Sequence, residues 1–156
     1  MSELKFQFLE EIKTSNLQQF HAAVLKLAQS FSDRSVVALA GPMGAGKTEF
    51  VKCLTLSQGI QGAASPTFAI HHRYQNQHQV FEHLDLYRLK NEDELETTGF
   101  WDFFSEPQGL ILIEWPEKMR LSTIPDTWDL FRIEISVPAL DQRILKLSKR
   151  SGLSSI

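Results

Sequence analysis

Apolar residues recur along this chain in two rhythms. Leu4, Phe6 and Phe8 alternate with polar neighbours, which predicts a short strand. Leu17, Phe20, Val24, Leu27 and Phe31 then return every three or four residues, the spacing of one helix face, and read as ordinary core packing. Thr14, Ser15 and Asn16 precede that stripe as candidate N-caps. Residues 35–40 form a continuous apolar run, as expected of a strand buried on both faces. It leads into a glycine-rich segment that cannot continue a strand, and residues 47–58 read as a helix stopped near Gly59. Residues 67–74 and 80–86 read as strands joined by a polar turn, and 91–98 as a short acidic helix ended by Gly99. Residues 110–113 give a second buried strand, and 130–137 with 143–147 a closing hairpin. Buried strands alternate with helices first and antiparallel pairs follow, which predicts an α/β layered domain with a mixed sheet. No repeat or low-complexity stretch divides the chain, so residues 1–150 are expected to form one domain and 151–156 a frayed tail.

Composition narrows the picture. At 156 residues the chain can bury roughly 68–70% of its unfolded surface without disulfides or a structural metal. Its one cysteine, Cys53, excludes an internal disulfide and any CxxC zinc spacing. A net charge of −3 argues against coating nucleic acid by bulk positive charge. The 42% hydrophobic content excludes a disordered chain. No apolar run approaches the roughly 20 residues of a membrane span, and the first residues lack the apolar centre of a secretory signal. The expected location is a reducing compartment, most simply the cytoplasm, with no membrane partner.

The strongest chemical signal is Gly41-Pro42-Met43-Gly44-Ala45-Gly46-Lys47-Thr48, which fits the phosphate-loop (Walker A) pattern G-x-x-x-x-G-K-[ST] without a mismatch. Its setting agrees, with a buried strand before and a helix after. Such a loop must turn backbone N–H groups inward around an anion, and glycines permit the torsions and the close approach. The helix behind it aims unpaired N–H groups and its positive dipole end at the phosphates. Gly41, Met43, Gly44, Ala45, Gly46, Lys47, Thr48 and Glu49 are therefore the expected nucleotide-binding stretch. Lys47 is expected to reach the β- and γ-phosphates and the Thr48 hydroxyl to ligate Mg²⁺. Glu49 is awkward, because many such loops carry a hydroxyl there that touches the α-phosphate. It is expected to point away, at the cost of one contact.

Two acids stand at strand ends. Asp85 lies late in an apolar strand, sharing a face with His83 and Tyr87, and Glu114 ends the run Leu110–Ile113. If both strands run parallel to the one entering the loop, both acids lie on the carboxyl rim where open α/β sheets bind ligands. One could then hold the metal while the other orients or deprotonates the attacking water, which makes Lys47, Asp85 and Glu114 the catalytic candidates. The alternative is that each acid caps a loop or pairs with Arg88 or Lys118. Ser65-Pro66-Thr67-Phe68 reads either as a switch segment sensing the γ-phosphate or as a plain proline turn. His71 and His72 are adjacent on a strand, face opposite sides and read as structural. His83 reads as a packed histidine or as a neighbour of the site, and Trp115 as core filling or as a shield against water. The acids Glu92, Asp93, Glu94 and Glu96 read as a solvated helix face, with a partner surface as the alternative.

The segments GPMGAGKT, SPTF, HLDLYRL, Glu94-Leu95, Thr98-Gly99, Asp102 with Phe104, and IEWPE, in this order from Gly41 to Glu117, resemble the bacterial tRNA threonylcarbamoyladenosine biosynthesis ATPase family, TsaE (older name YjeE). The resemblance implies a P-loop nucleotide hydrolase-like three-layer domain with a mixed central sheet and a slow, Mg²⁺-dependent intrinsic ATPase. It implies work with the TsaD–TsaB heterodimer, in which TsaD transfers the threonylcarbamoyl group to an adenosine beside the tRNA anticodon. Contact with tRNA would then be indirect, through that complex. By position, Thr48 and Glu114 match the family's magnesium ligands, Asp85 its second acid and Thr67 its switch threonine. The family uses the region around residues 14–17 near the adenine, where this chain matches poorly. Two other readings share the loop: a small-molecule kinase, and a nucleotide-gated binding switch without useful turnover. A kinase usually needs arginines from a mobile lid, and the seven arginines here include no pair close in sequence. No N-K-x-D guanine-reading motif occurs, which disfavours a GTPase.

Overall fold

A computed structural model describes residues 4–63 and 70–151. Seven strands form one mixed sheet in the order β1-β7-β6-β2-β5-β4-β3. They are β1 (Phe6–Thr14), β2 (Arg34–Ala40), β3 (His71–Gln75), β4 (Val80–Asp85), β5 (Gly109–Glu114), β6 (Asp129–Ala139) and β7 (Gln142–Arg150). The central strand β2 runs parallel to both β5 and β6, and β4 runs parallel to β5. The flanks turn antiparallel, with β3 on β4, β7 on β6 and β1 on β7.

Strand periodicity sorts the core into two layers. Val37 and Leu39 of β2, Leu110 and Leu112 of β5, and Phe81 of β4 pack with Phe20, Val24 and Leu27 of α1 (Leu17–Ala28) and Phe50, Val51 and Leu54 of α2 (Lys47–Ser57). The alternate residues Val36, Ile111, Ile113 and Leu84 pack with Leu95, Phe100 and Trp128 on the opposite face. That face is covered by the short helix α3 (Asp93–Glu96) and a 3-10 segment, Phe100–Ser105. By the same alternation His83, Asp85 and Glu114 fall on the α2 side of the sheet. No described helix is long and apolar enough to cross a membrane.

Three local expectations are revised. The first strand runs through Thr14 rather than stopping near Phe8, because pairing with β7 continues along its length. Asn16 alone is the N-cap of α1: its Oδ1 accepts the Gln19 N–H at 2.8 Å, and Gln19 Oε1 accepts the Ser15 N–H at 2.7 Å. Leu17 does not join the core stripe but stands 59% exposed. Of the expected tail, Ser151 still donates its N–H to the Lys5 carbonyl, and 152–156 lie outside the described residues, as does the 67–69 portion of the strand expected from Thr67.

Candidate functional site

The loop between β2 and α2 is shaped by two close approaches. A Cβ at Gly41 would stand 2.7 Å from the Ile135 carbonyl oxygen, and one at Gly46 2.9 Å from the Phe20 ring. Gly46 also holds φ at 114°, and no side chain caps the N-terminus of α2 behind it. The hairpin between β6 and β7 braces the loop from outside. Arg143 donates from Nε to the Ala45 carbonyl at 3.0 Å and from a terminal nitrogen to Gly44 at 3.2 Å.

Lys47, only 5% exposed, folds back over its own loop. Its Nζ donates to the Gly41 carbonyl and to that of Pro42 at 3.4 Å, and lies 3.5 Å from the centre of the Trp115 ring. Burial lowers the Lys47 pKa, while the charges of Glu114, Glu117 and Asp85 pull it back up. Trp115 reaches this place with φ at 59°, unlike every other described non-glycine residue, and packs at a tilt against Tyr87, ring centres 5.0 Å apart.

The two acids lie on the same rim as the loop. Asp85 and Glu114 are direct register partners across β4 and β5, and Leu39 of β2 pairs with Glu114 from the other side. The strands are parallel, so the condition set by the sequence is met. Glu114 is 3% exposed and its two oxygens each accept from the Thr48 hydroxyl at 3.1 Å. Its Oε2 also lies 2.6 Å from Nε2 of the buried His83. Asp85 accepts the Tyr87 N–H at 3.0 Å, so it caps the chain leaving β4 while remaining at the rim.

Thr48 and Glu114 suit a hard cation. Neighbouring oxygens around octahedral Mg²⁺ with 2.0–2.1 Å bonds are about 3 Å apart, close to the 3.1 Å spacing here. Among the described residues no cluster of three or more His, Cys, Asp or Glu could hold a metal alone. A nucleotide-borne Mg²⁺ asks for only one or two protein ligands, which fits.

Beside the loop opens a cleft of about 510 Å³. Leu17, Phe20 and Leu140 give it apolar walls, and Asn16, Glu49 and Arg143 give it polar ones. Glu49 turns toward α1, where its Oε1 meets His21 Nε2 at 2.7 Å.

A family model described as threonylcarbamoyl adenosine biosynthesis protein TsaE matches residues 14–145. The chain belongs to the TsaE family. Among its relatives, the TsaE protein of Borreliella burgdorferi is 39% identical over 90 residues, 58% of this chain and 65% of that protein. That of Synechocystis is 37% identical over 97 residues, 60% of this chain and 62% of that one. The match therefore spans just under two thirds of the length of these two relatives. The Rickettsia felis TsaE protein is 34% identical over 136 residues, 83% of this chain and 74% of that one. In three dimensions the chain is similar to the crystal structure of Bacillus subtilis YdiB, with a TM-score of 0.66 at 25% identity, covering 97% of this chain and 90% of that one.

Within this TsaE-family chain, Gly41 to Glu49, Asp85 and Glu114 converge on one rim, with Met43 at the loop tip 71% exposed. Thr67 lies outside the described residues. His71 and His72 bond to separate partners, Glu82 and Tyr74. Sequence reasoning left three features unread: the grip of His83 on Glu114, the tether of Glu49 to His21, and the Arg143 brace. Only His83 carried a signal, its place on the face of Asp85.

Proposed function

We propose that this chain is a slow, Mg²⁺-dependent ATPase that supports threonylcarbamoyl transfer to a tRNA adenosine beside the anticodon, acting with the TsaD–TsaB heterodimer in the cytoplasm. What supports this reading is the meeting of Lys47, Thr48 and Glu114 at the loop of a TsaE-family chain. It is the arrangement phosphoryl chemistry uses: positioning and charge rather than covalent catalysis.

The nucleoside would enter the cleft between Leu17 and Leu140, and the phosphates would follow the loop amides to Lys47. Lys47 would exchange the Gly41 carbonyl for the β- and γ-phosphates. Bound Mg²⁺, held by Thr48 and Glu114, would supply charge neutralisation between those phosphates. Asp85, next to Glu114 on the rim, would orient the attacking water, and Trp115 would wall the lysine off from solvent. A reconstituted system of TsaD, TsaB, tRNA, ATP and the threonylcarbamoyl donor is expected to need this chain for repeated cycles. Many cycles in its absence would refute the pathway assignment. Absence of any phosphate release by the chain, alone or with the heterodimer, would refute the ATPase.

Glu49 adds a separate expectation. Its carboxylate lines the cleft one residue after Thr48, where it adds negative charge close to the incoming phosphates. Glu49→Thr is expected to tighten ATP binding about three- to tenfold, with the gain shrinking at high salt. Calorimetric titration at two ionic strengths measures this; an unchanged Kd at low salt would show that the charge is already neutralised by His21, and a weaker one that Glu49 favours binding.

A further inference from the structure

We infer that His83 is a positioning residue for the reaction, fixing the Glu114 carboxylate in the orientation from which it meets Thr48. The inference rests on the ATPase reading above.

His83 is fully buried in β4, on the same face as the buried Phe81. An apolar side chain would suit that place at less desolvation cost. Its Nε2 lies 2.6 Å from Glu114 Oε2, while its Nδ1 is buried without a hydrogen-bond partner among the described residues. A carboxylate only accepts, so Nε2 carries the hydrogen and donates it.

The strand register makes the contact possible. His83 pairs with Leu112 and Asp85 with Glu114, so His83 lies diagonally one pair inward of Glu114 on the same face. It approaches the carboxylate from the interior, while Thr48 approaches from the first turn of α2. Tyr74 of β3 lies beside the imidazole with ring centres 6.2 Å apart. Glu114 is thus held from two sides. A glutamate has three side-chain torsions, and without the inner bond its head group is free to turn away from the threonine. Hydrogen bonds behind a ligating carboxylate characteristically set its usefulness by about 10–100-fold in metal affinity or activity.

The test compares three substitutions. His83→Gln keeps an N–H donor at a similar reach, His83→Asn keeps polarity but falls short, and His83→Leu keeps bulk alone. Leu and Asn are expected to lower kcat about 10–100-fold, leave the KM for ATP at saturating Mg²⁺ within about threefold, and raise the Mg²⁺ concentration that half-saturates nucleotide binding about 10–100-fold. Nucleotide affinity in EDTA should not change. Gln should restore kcat and the Mg²⁺ midpoint to within about threefold of the wild type. In a Glu114→Gln background, His83→Leu should cause little further loss, since it acts through the missing carboxylate. Asn and Gln variants that behave alike, or a Leu variant that folds and keeps its kcat and Mg²⁺ midpoint, would overturn the inference. If His83→Leu does not fold, the Asn and Gln pair decides. A wild-type chain that hydrolyses ATP together with His83 variants that match it sinks only this inference, whereas a wild-type chain that neither binds nor hydrolyses ATP sinks the ATPase reading.

Discussion

Lys47→Ala is expected to lower kcat/KM for ATP by about 10³-fold while leaving the fold in place. The ammonium is buried beside its own loop, and the groups now surrounding it can release it. Its carbonyl acceptors belong to Gly41 and Pro42, whose replacement partners would be water or neighbouring amides. The Trp115 face attracts it without a directed bond. Arginine is not expected to rescue activity, because a planar guanidinium does not fit the niche between a loop carbonyl and an indole face. Nucleotide titration and phosphate release read the loss, and circular dichroism reports the fold. A variant retaining a tenth or more of wild-type kcat/KM would remove Lys47 from the mechanism.

The second large effect belongs to Glu114. Glu114→Gln keeps the shape but not the charge, and is expected to cut kcat about 10²–10³-fold while nucleotide binding in EDTA stays within a few-fold. Glu114→Ala should add a stability cost of about 1–3 kcal/mol, because it strips the buried His83 and the half-buried Thr48 hydroxyl of an acceptor. Single-turnover phosphate release separates the first effect and thermal melting the second. Hydrolysis at the wild-type rate by Glu114→Gln would favour a switch without useful turnover, or another catalytic group.

These effects were legible to different depths in the sequence. The loop at Gly41 to Thr48 could be read because its chemistry is local: eight consecutive residues carry the turn, the helix start and the lysine. Glu114 could be placed at a strand end because the run before it is apolar throughout. Contacts set by register could not be read. Whether His83 reaches Glu114 depends on how β4 and β5 align, 31 residues apart in the chain. Glu49 meets His21 only because α1 packs on α2. The extent of β1 was hidden for a related reason. Glu10, Glu11 and Lys13 break its apolar alternation, and the ladder with β7 supplies the order. The aromatic 3-10 segment Phe100–Ser105 was missed because Phe100, Phe103 and Phe104 give too short a period to announce a helix.

The strand leading into the phosphate loop is also the seam of the sheet. On one wing, β6 and the antiparallel β7 deliver Leu140 and Arg143 to the cleft. On the other, β5 and β4 deliver Glu114, His83 and Asp85. On the proposed reading, one wall of the nucleoside cleft and the carboxyl row would thus descend from separate stretches of chain on either side of β2. Substitutions in the hairpin between Ala139 and Gln142 would then reshape that wall without displacing Glu114, His83 or Asp85, leaving the two sides of the site free to vary separately.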